Sequence, residues 1–419
     1  MGTPAVSADR SPEQPAAPSP GGGRAIEVLG AFLKLGLTSF GGPVAHLAYF
    51  RTEFVERRRW LDDGRYADLV ALCQFLPGPA SSQVGMALGL ARAGWPGALA
   101  AWAGFTLPSA LAMILFAQAV AQWSWLTASG AVHGLKLAAV AVVAQALLGM
   151  ARSLCPDRPR ATIAIGAALI ALLAPGTAGQ LAAIALGAVA GRLVLRLSGG
   201  SEPSQPLAAG VRRGTGLVLL GIWAGLLLLL PLLAAAHVSP WLNAAAVFYQ
   251  AGSLVFGGGH VVLPLLQAGV VPSGWMDSEA FLAGYGAAQA VPGPLFTFAA
   301  YLGAAMAAPL GGWTGGVAML LAIFLPAFLL VTGALPFWEA LRARADVRGT
   351  MGGLNAAVVG LLAAAFYDPV WTSAIHTRWD VALALAAFGL LVHARLSPVL
   401  VVACAALAGA LTAQLMPSG

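Results

Sequence analysis

The chain has 419 residues, of which 59% are hydrophobic and only 9% charged, with a mean hydropathy of +0.82. Soluble globular domains are about a quarter charged, so that class is excluded. The net charge of +6 does not point to nucleic acid, because the basic residues are scattered between apolar segments, as membrane topology signals are.

Residues 1–23, rich in Pro, Gly, Ala and Ser and without an apolar h-region, read as a disordered tail and not as a signal peptide. Apolar segments follow at 26–50, 66–92, 95–121, 130–152, 160–174, 177–197, 216–236, 243–267, 280–308, 312–335, 350–367, 379–393 and 396–416. They do not alternate polar and apolar positions, so they are helices and not barrel strands. The stretch Ser198 to Arg213 is the only long polar linker. The expected organisation is a first transmembrane repeat over 24–197, a linker with its own helix over 198–240, and a second repeat over 241–419.

The halves match in order. Phe32 to Gly42 (FLKLGLTSFGG) pairs with Phe248 to Gly258 (FYQAGSLVFGG), and Trp60-Leu61-Asp62 with Trp275-Met276-Asp277. Gln74 to Pro79 (QFLPGP) pairs with Gln289 to Pro294 (QAVPGP), and Gly134-Leu135-Lys136 with Gly353-Leu354-Asn355. The segment Gly216 to Ala236 has no counterpart, and one extra crossing between two copies of even crossing number turns the second upside down, with a parallel duplication and this helix outside the membrane as the alternative. The expected fold is an all-α polytopic membrane protein of two inverted repeats joined by a linker helix. The loop Arg51–Arg65 holds five arginines, whereas Ala268–Glu279 holds none and two acids. The positive-inside rule puts the first loop in the cytoplasm and the second opposite, which requires the two leading segments of each repeat to re-enter as hairpins.

Pro77-Gly78-Pro79 and Pro292-Gly293-Pro294 break the helix by removing backbone donors. A break inside a membrane is tolerated only where protein or a water-filled cavity satisfies the freed groups. The helix that resumes offers its N-terminal N–H groups to an anion. Ser81, Ser82 and Thr297 add hydroxyls at the same turns, and Gln74 and Gln289 precede the breaks. Phe40-Gly41-Gly42-Pro43 and Phe256-Gly257-Gly258-Gly259-His260 read as a second pair of breaks, with small-residue packing as the other account. The two lysines, Lys34 and Lys136, lie in apolar segments, and Asn355 stands where Lys136 repeats. Each is a candidate partner for an oxyanion, with snorkelling to an interface as the alternative. Gly187–Gly191 has GxxxG spacing, which fits a homodimer or packing within the chain.

No Walker loop, zinc-protease motif or nucleophile–base pair occurs, so an enzyme is not expected. Three widely spaced cysteines, Cys73, Cys155 and Cys404, form no metal cluster, and neither metal nor cofactor is expected. In FLKLGLTSFGGPVAHLAYFR (32–51), EFVERRRWLD (53–62), QFLPGP, GLKLAAV (134–140), FGGGH (256–260), QAVPGP and GLNAAVV (353–359), the sequence resembles the long-chain chromate ion transporter family. The resemblance implies a bacterial inner-membrane secondary transporter that exports chromate and confers resistance, with sulfate as the related anion. The expected coupling ion is a proton. A sulfate or other oxyanion carrier and a passive anion channel are the alternatives.

Overall fold

A computed structural model describes residues 22–122, 130–195, 210–256, 259–338 and 344–415. Among these, every regular element is helical, and six helices are long and apolar enough to cross a membrane.

The two leading segments of each repeat fold back on themselves. Helix α1 (Gly22–Thr38) runs to the Phe-Gly-Gly break, and α2 (Gly42–Phe50) returns from it, prolonged by a π-helical stretch, Arg51–Arg57. Phe32 of α1 stacks on Phe54 of the returning arm at 4.8 Å. The Trp-x-Asp motif then starts a helix, since the Asp62 side chain accepts the Arg65 N–H at 2.9 Å and so caps α3 (Asp63–Phe75). Leu76 is extended, as a residue before proline must be, and Gly78 sits at φ +120°. Helix α4 (Ala80–Gln122) leaves the break and kinks at Ala93 and Gly94.

One carboxylate fixes where these arms end. Glu27 of α1 lies 3.1 Å from Arg92 and 3.7 Å from Arg58, and both guanidinium groups lie over the Trp60 ring, 5.3 and 5.8 Å from its centroid. The start of α1, the end of the π-helical stretch and the α4 kink therefore gather at one end of the bundle. Both segments are hairpins with their breaks at the tips.

Helices α5 (Gly130–Leu154), α6 (Arg158–Leu173) and α7 (Thr177–Val194) complete the first repeat. The unmatched α8 (Arg213–Ala235) packs one face on α9 and α13 and leaves the rest exposed, with only Gly216 fully buried, which suits a helix at the lipid boundary. The order then recurs as α9 (Pro240–Leu254), α10 (Val262–Val270), α11 (Ser278–Ala288), α12 (Phe298–Ala305), α13 (Gly312–Ala334), α14 (Ala345–Ala365), α15 (Arg378–Val392) and α16 (Pro398–Leu415). Asp277 caps α11 through the Ala280 N–H at 2.7 Å, as Asp62 caps α3.

The α11–α12 hairpin opens beside Tyr301, whose hydroxyl donates to the Ala280 carbonyl at 2.9 Å, and Phe116 of α4 packs on the Tyr301 ring at 5.7 Å. The first repeat's hairpins open instead next to Gly94. Between Gly94 and Phe116 lies about 33 Å of helix at 1.5 Å per residue, against a ~30 Å bilayer core. The hairpins of the two repeats thus open near opposite ends of this part of α4.

At the centre the tips interlock. The Gly78 N–H donates to the Val255 carbonyl at 2.7 Å, and the Gly293 N–H to the Ser39 carbonyl at 2.9 Å. These are matched positions of the two repeats, and such reciprocity is what a two-fold relation produces. Farther out the repeats exchange helices, with α7 packing on α14 and α16 on α5. Gly187 and Gly191 pack within the chain, because a Cβ on either would collide with Gly349 or Gly353. The GxxxG face is therefore covered by α14 and is not free for a second copy.

Candidate functional site

A cavity of about 70 Å³ lies where the tips meet. The first repeat contributes Gly41, Gly42 and Pro43, at the start of α2, and Val142 and Gln145 from α5. From the second come His260, then Ala288, Gln289, Val291, Gly293 and Leu295 around the Pro-Gly-Pro break, and Pro398 at the start of α16. One water needs ~10–15 Å³ of such volume, so the space takes a small ion or a few waters.

Its walls are chemically one-sided. Helix α2 begins at the cavity, and the first turn of a helix has N–H groups without intrahelical partners and the positive end of the dipole. The 3₁₀ turn Leu295–Thr297 that leads into α12 begins there too. Gln145, Gln289 and His260 are the side chains on the wall that can donate, and among the described residues no carboxylate lines it. The Gln289 amide nitrogen is buried with no hydrogen-bond partner, which costs ~1–3 kcal/mol unless water or a ligand accepts from it. His260 Nδ1 lies 2.7 Å from the Tyr285 hydroxyl, which orients the ring. More buried polar atoms without partners cluster near the breaks: Ser39 Oγ, His46 Nε2, Ser82 Oγ and Gln83 Oε1.

Five of the residues expected from sequence come together here: Gly41, Gly42, His260, Gln289 and Gly293. Gly259 adjoins them, since a Cβ on it would touch Pro43 and Leu295. Phe40 and Phe256 precede the breaks, and Pro292 and Pro294 flank Gly293. The first Pro-Gly-Pro lies off the wall: Pro77, Gly78 and Pro79 are buried, and the Pro77 carbonyl accepts from Gln83 at 2.8 Å. The Gly78 and Gly293 N–H groups serve the opposite repeat and not a ligand, so the anion-facing N–H groups are those of the turns that follow the breaks. Ser81 lies 3.4 Å from His46 Nδ1, and the Thr297 hydroxyl donates to the Pro294 carbonyl at 2.9 Å. Gln74 is exposed and Asn355 half-buried, both off the wall. Gly257 and Gly258 lie outside the described residues.

Both lysines have carboxylates and neither lines the cavity. Lys34 meets Glu53 at 3.1 Å. Glu53 also binds Arg58 at 2.9 Å and lies 3.5 Å from Arg57. Burial alone would push its carboxyl up, but the hydrogen bonds from Arg58 and Lys34 hold it below the usual carboxylate value. Lys136, buried in α5, lies 3.3 Å from Glu279 at the start of α11. Nine residues separate Lys136 from Gln145, about 13 Å of helix.

Sequence reasoning missed Gln145 and Pro398, whereas Pro43 belongs to the Phe-Gly-Gly-Pro break it singled out. Gln145 carries a usable signal, a polar side chain inside an apolar helix.

The profile of the family described as chromate transporter matches residues 26–192 and 242–410, one match per repeat. The chain belongs to the chromate transporter family. Among relatives, a chromate transport protein of Pseudomonas aeruginosa is 30% identical over 365 residues, covering 82% of this chain and 80% of the relative. Another, from Cupriavidus metallidurans, is 28% identical over 386 residues and 90% of each chain. An uncharacterized transporter of Methanocaldococcus jannaschii is 25% identical over 348 residues, 81% of this chain and 83% of its own. No solved structure matches the chain. Both profile matches contain the Phe-Gly-Gly and Pro-Gly-Pro breaks, so the cavity is built from the family's own segments.

Proposed function

We propose that this chromate transporter family member is a secondary active exporter of chromate in a bacterial inner membrane, coupled to protons, with the anion held in the cavity between the hairpin tips. The observation that carries the reading is the meeting of two helical starts, one from each repeat, on a wall of amide and imidazole groups without a carboxylate. A tetrahedral dianion offers only acceptors, and such a wall can meet it with donors. A site built from dipoles and neutral amides also holds the ion without the full grip of a fixed cation, which favours release.

The hairpins supply the moving parts. Because they open near opposite ends, a tilt of one repeat against the other exposes the tips to one side at a time. At the α5 start the repeats are tied by Lys136–Glu279 and by His133–Asp380, at 2.6 Å. The arginine-rich end, where Glu27, Arg58 and Arg92 all belong to one repeat, is the cytoplasmic mouth in this account. Its cations attract the oxyanion to that mouth before it enters.

The test is uptake of radiolabelled chromate into inverted membrane vesicles, with and without a respiratory substrate. Energy-dependent accumulation is the expected result. Downhill flux that never accumulates chromate would make the protein a channel, and uptake abolished by equimolar sulfate would make sulfate the preferred substrate.

A further inference from the structure

Away from the hairpin tips, α5, α6 and α14 enclose an open groove of about 310 Å³. Its wall includes Leu147 and Ala151 of α5, Ala164 and Ala168 of α6, and Gly360 and Ala363 of α14. Every lining residue is apolar except Cys155, so water gains nothing there, and the groove lies between helices that a bilayer surrounds. Gly360 has no side chain, so α14 closes on the α6 backbone at Ala164 and the floor of the groove is where these two helices meet. Its apolar lining suits a chain of methylenes.

The charge at one end of the groove identifies the occupant. Arg152 follows the lining residue Ala151, Arg160 precedes the lining residue Ala161, and Arg158 stands between them at the start of α6. Arg160 lies 3.6 Å from Asp157, whose side chain also caps α6 through the Arg160 N–H. Arg152 and Arg158 are exposed and have no carboxylate within ion-pair distance among the described residues. Three arginines against one carboxylate, next in the chain to residues that line an apolar groove, fit a phosphate head joined to an acyl tail. The matched corner of the second repeat lacks this pattern. In the register of Gly134 and Gly353, Trp371, Thr377 and Trp379 stand in place of Arg152, Arg158 and Arg160, and the nearby Asp380 is held by His133.

We propose that this groove is a binding site for one anionic phospholipid, with an acyl chain between α5, α6 and α14 and its phosphate on Arg152 and Arg158. A lipid seated there bridges both repeats, since α14 belongs to the second and α5 and α6 to the first.

The test uses the purified full chain, delipidated in detergent and titrated with phosphatidylglycerol or phosphatidylcholine by native mass spectrometry. Wild-type protein retains one phosphatidylglycerol in preference to phosphatidylcholine. Arg152→Gln with Arg158→Gln, at exposed positions, weakens phosphatidylglycerol binding about 30-fold, at roughly a factor of five per arginine near an anionic head, and leaves phosphatidylcholine unchanged. Ala363→Phe, which fills the slot, weakens both lipids. Inorganic phosphate at the same concentration does not compete, because it brings no tail. Equal retention of the two lipids by wild type, or undiminished phosphatidylglycerol binding by the arginine variant, overturns the proposal. Should Ala363→Phe fail to fold, those two measurements still decide it.

Discussion

Gly78 and Gly293 occupy matched positions, and comparing alanine at each separates the structural work of the Pro-Gly-Pro break from its work on the ligand. Gly293 has φ +94°, and a Cβ there would stand 2.8 Å from Ser109 Oγ and 3.0 Å from the Phe105 carbonyl. Gly78 has φ +120°, and its Cβ would stand 3.0 Å from the Gln83 amide nitrogen and 3.4 Å from Ala327 Cβ. Backbone strain of this kind costs ~1–3 kcal/mol, and weakening the N–H bond to the opposite repeat adds ~0.5–1.5 kcal/mol. Each variant should therefore lose about 2–4 kcal/mol of stability, read as a lower Tm of the detergent-solubilised protein, with Gly293→Ala the more affected because Phe105 is backbone and cannot turn aside. Only Gly293 lines the cavity. The Gly293 N–H is held by Ser39, but a Cβ there shifts the turn that follows, and losing one of that turn's charge-assisted hydrogen bonds to the anion costs ~1.5–3 kcal/mol, so Gly293→Ala should bind chromate roughly 10- to 100-fold more weakly by isothermal titration. Gly78→Ala, folded and measured below its Tm, should bind within a few-fold of wild type. Equal loss of affinity in both variants would refute the assignment of the site to the second Pro-Gly-Pro.

Gln145→Leu should lower chromate affinity roughly tenfold or more, and Gln145→Glu by more than about 10³-fold, since a carboxylate ~4 Å away is repelled by about 4 kcal/mol for each unit of the anion's charge at an effective dielectric of 20; filter-binding assays distinguish the two. Lys136→Met should slow transport while leaving chromate affinity unchanged, and Lys136→Glu combined with Glu279→Lys should restore the rate, which a lysine contacting the anion would not permit. Glu53 is held below the usual carboxylate value, so its contribution to stability is present above the unfolded pKa of about 4.3 and is lost as pH falls through the folded value. The Tm deficit of Glu53→Gln should accordingly be full at pH 7 and shrink below about pH 4.

Much of this architecture was legible because the informative residues are those that a Leu/Ala-rich background does not supply. Proline pairs mark a break whatever surrounds them, and their recurrence in order gave the repeats; the five arginines of 51–65 pointed to hairpins, whose closure by Glu27, Arg58 and Arg92 is then visible in space. The site was harder to read. Gln74 and Gln289 are equivalent in sequence, yet one is exposed and the other lines the cavity, because two-fold-related positions need not have equal surroundings once side chains differ. Lys136 looked like an anion partner because a lone cation in an apolar helix needs one. Its partner, Glu279, comes from the other repeat 143 positions away, and no local pattern announces such a pair. The reciprocal bonds of Gly78 and Gly293 are likewise invisible in sequence, as they join backbone atoms.

The central claim, an oxyanion held between the hairpin tips, is tested most directly by an anomalous difference map collected at the chromium absorption edge from crystals grown with chromate. The account predicts a peak in the cavity bounded by Gly42, Gln145, His260 and Gln289. A peak beside Lys34 or Lys136, with the cavity empty, would contradict it.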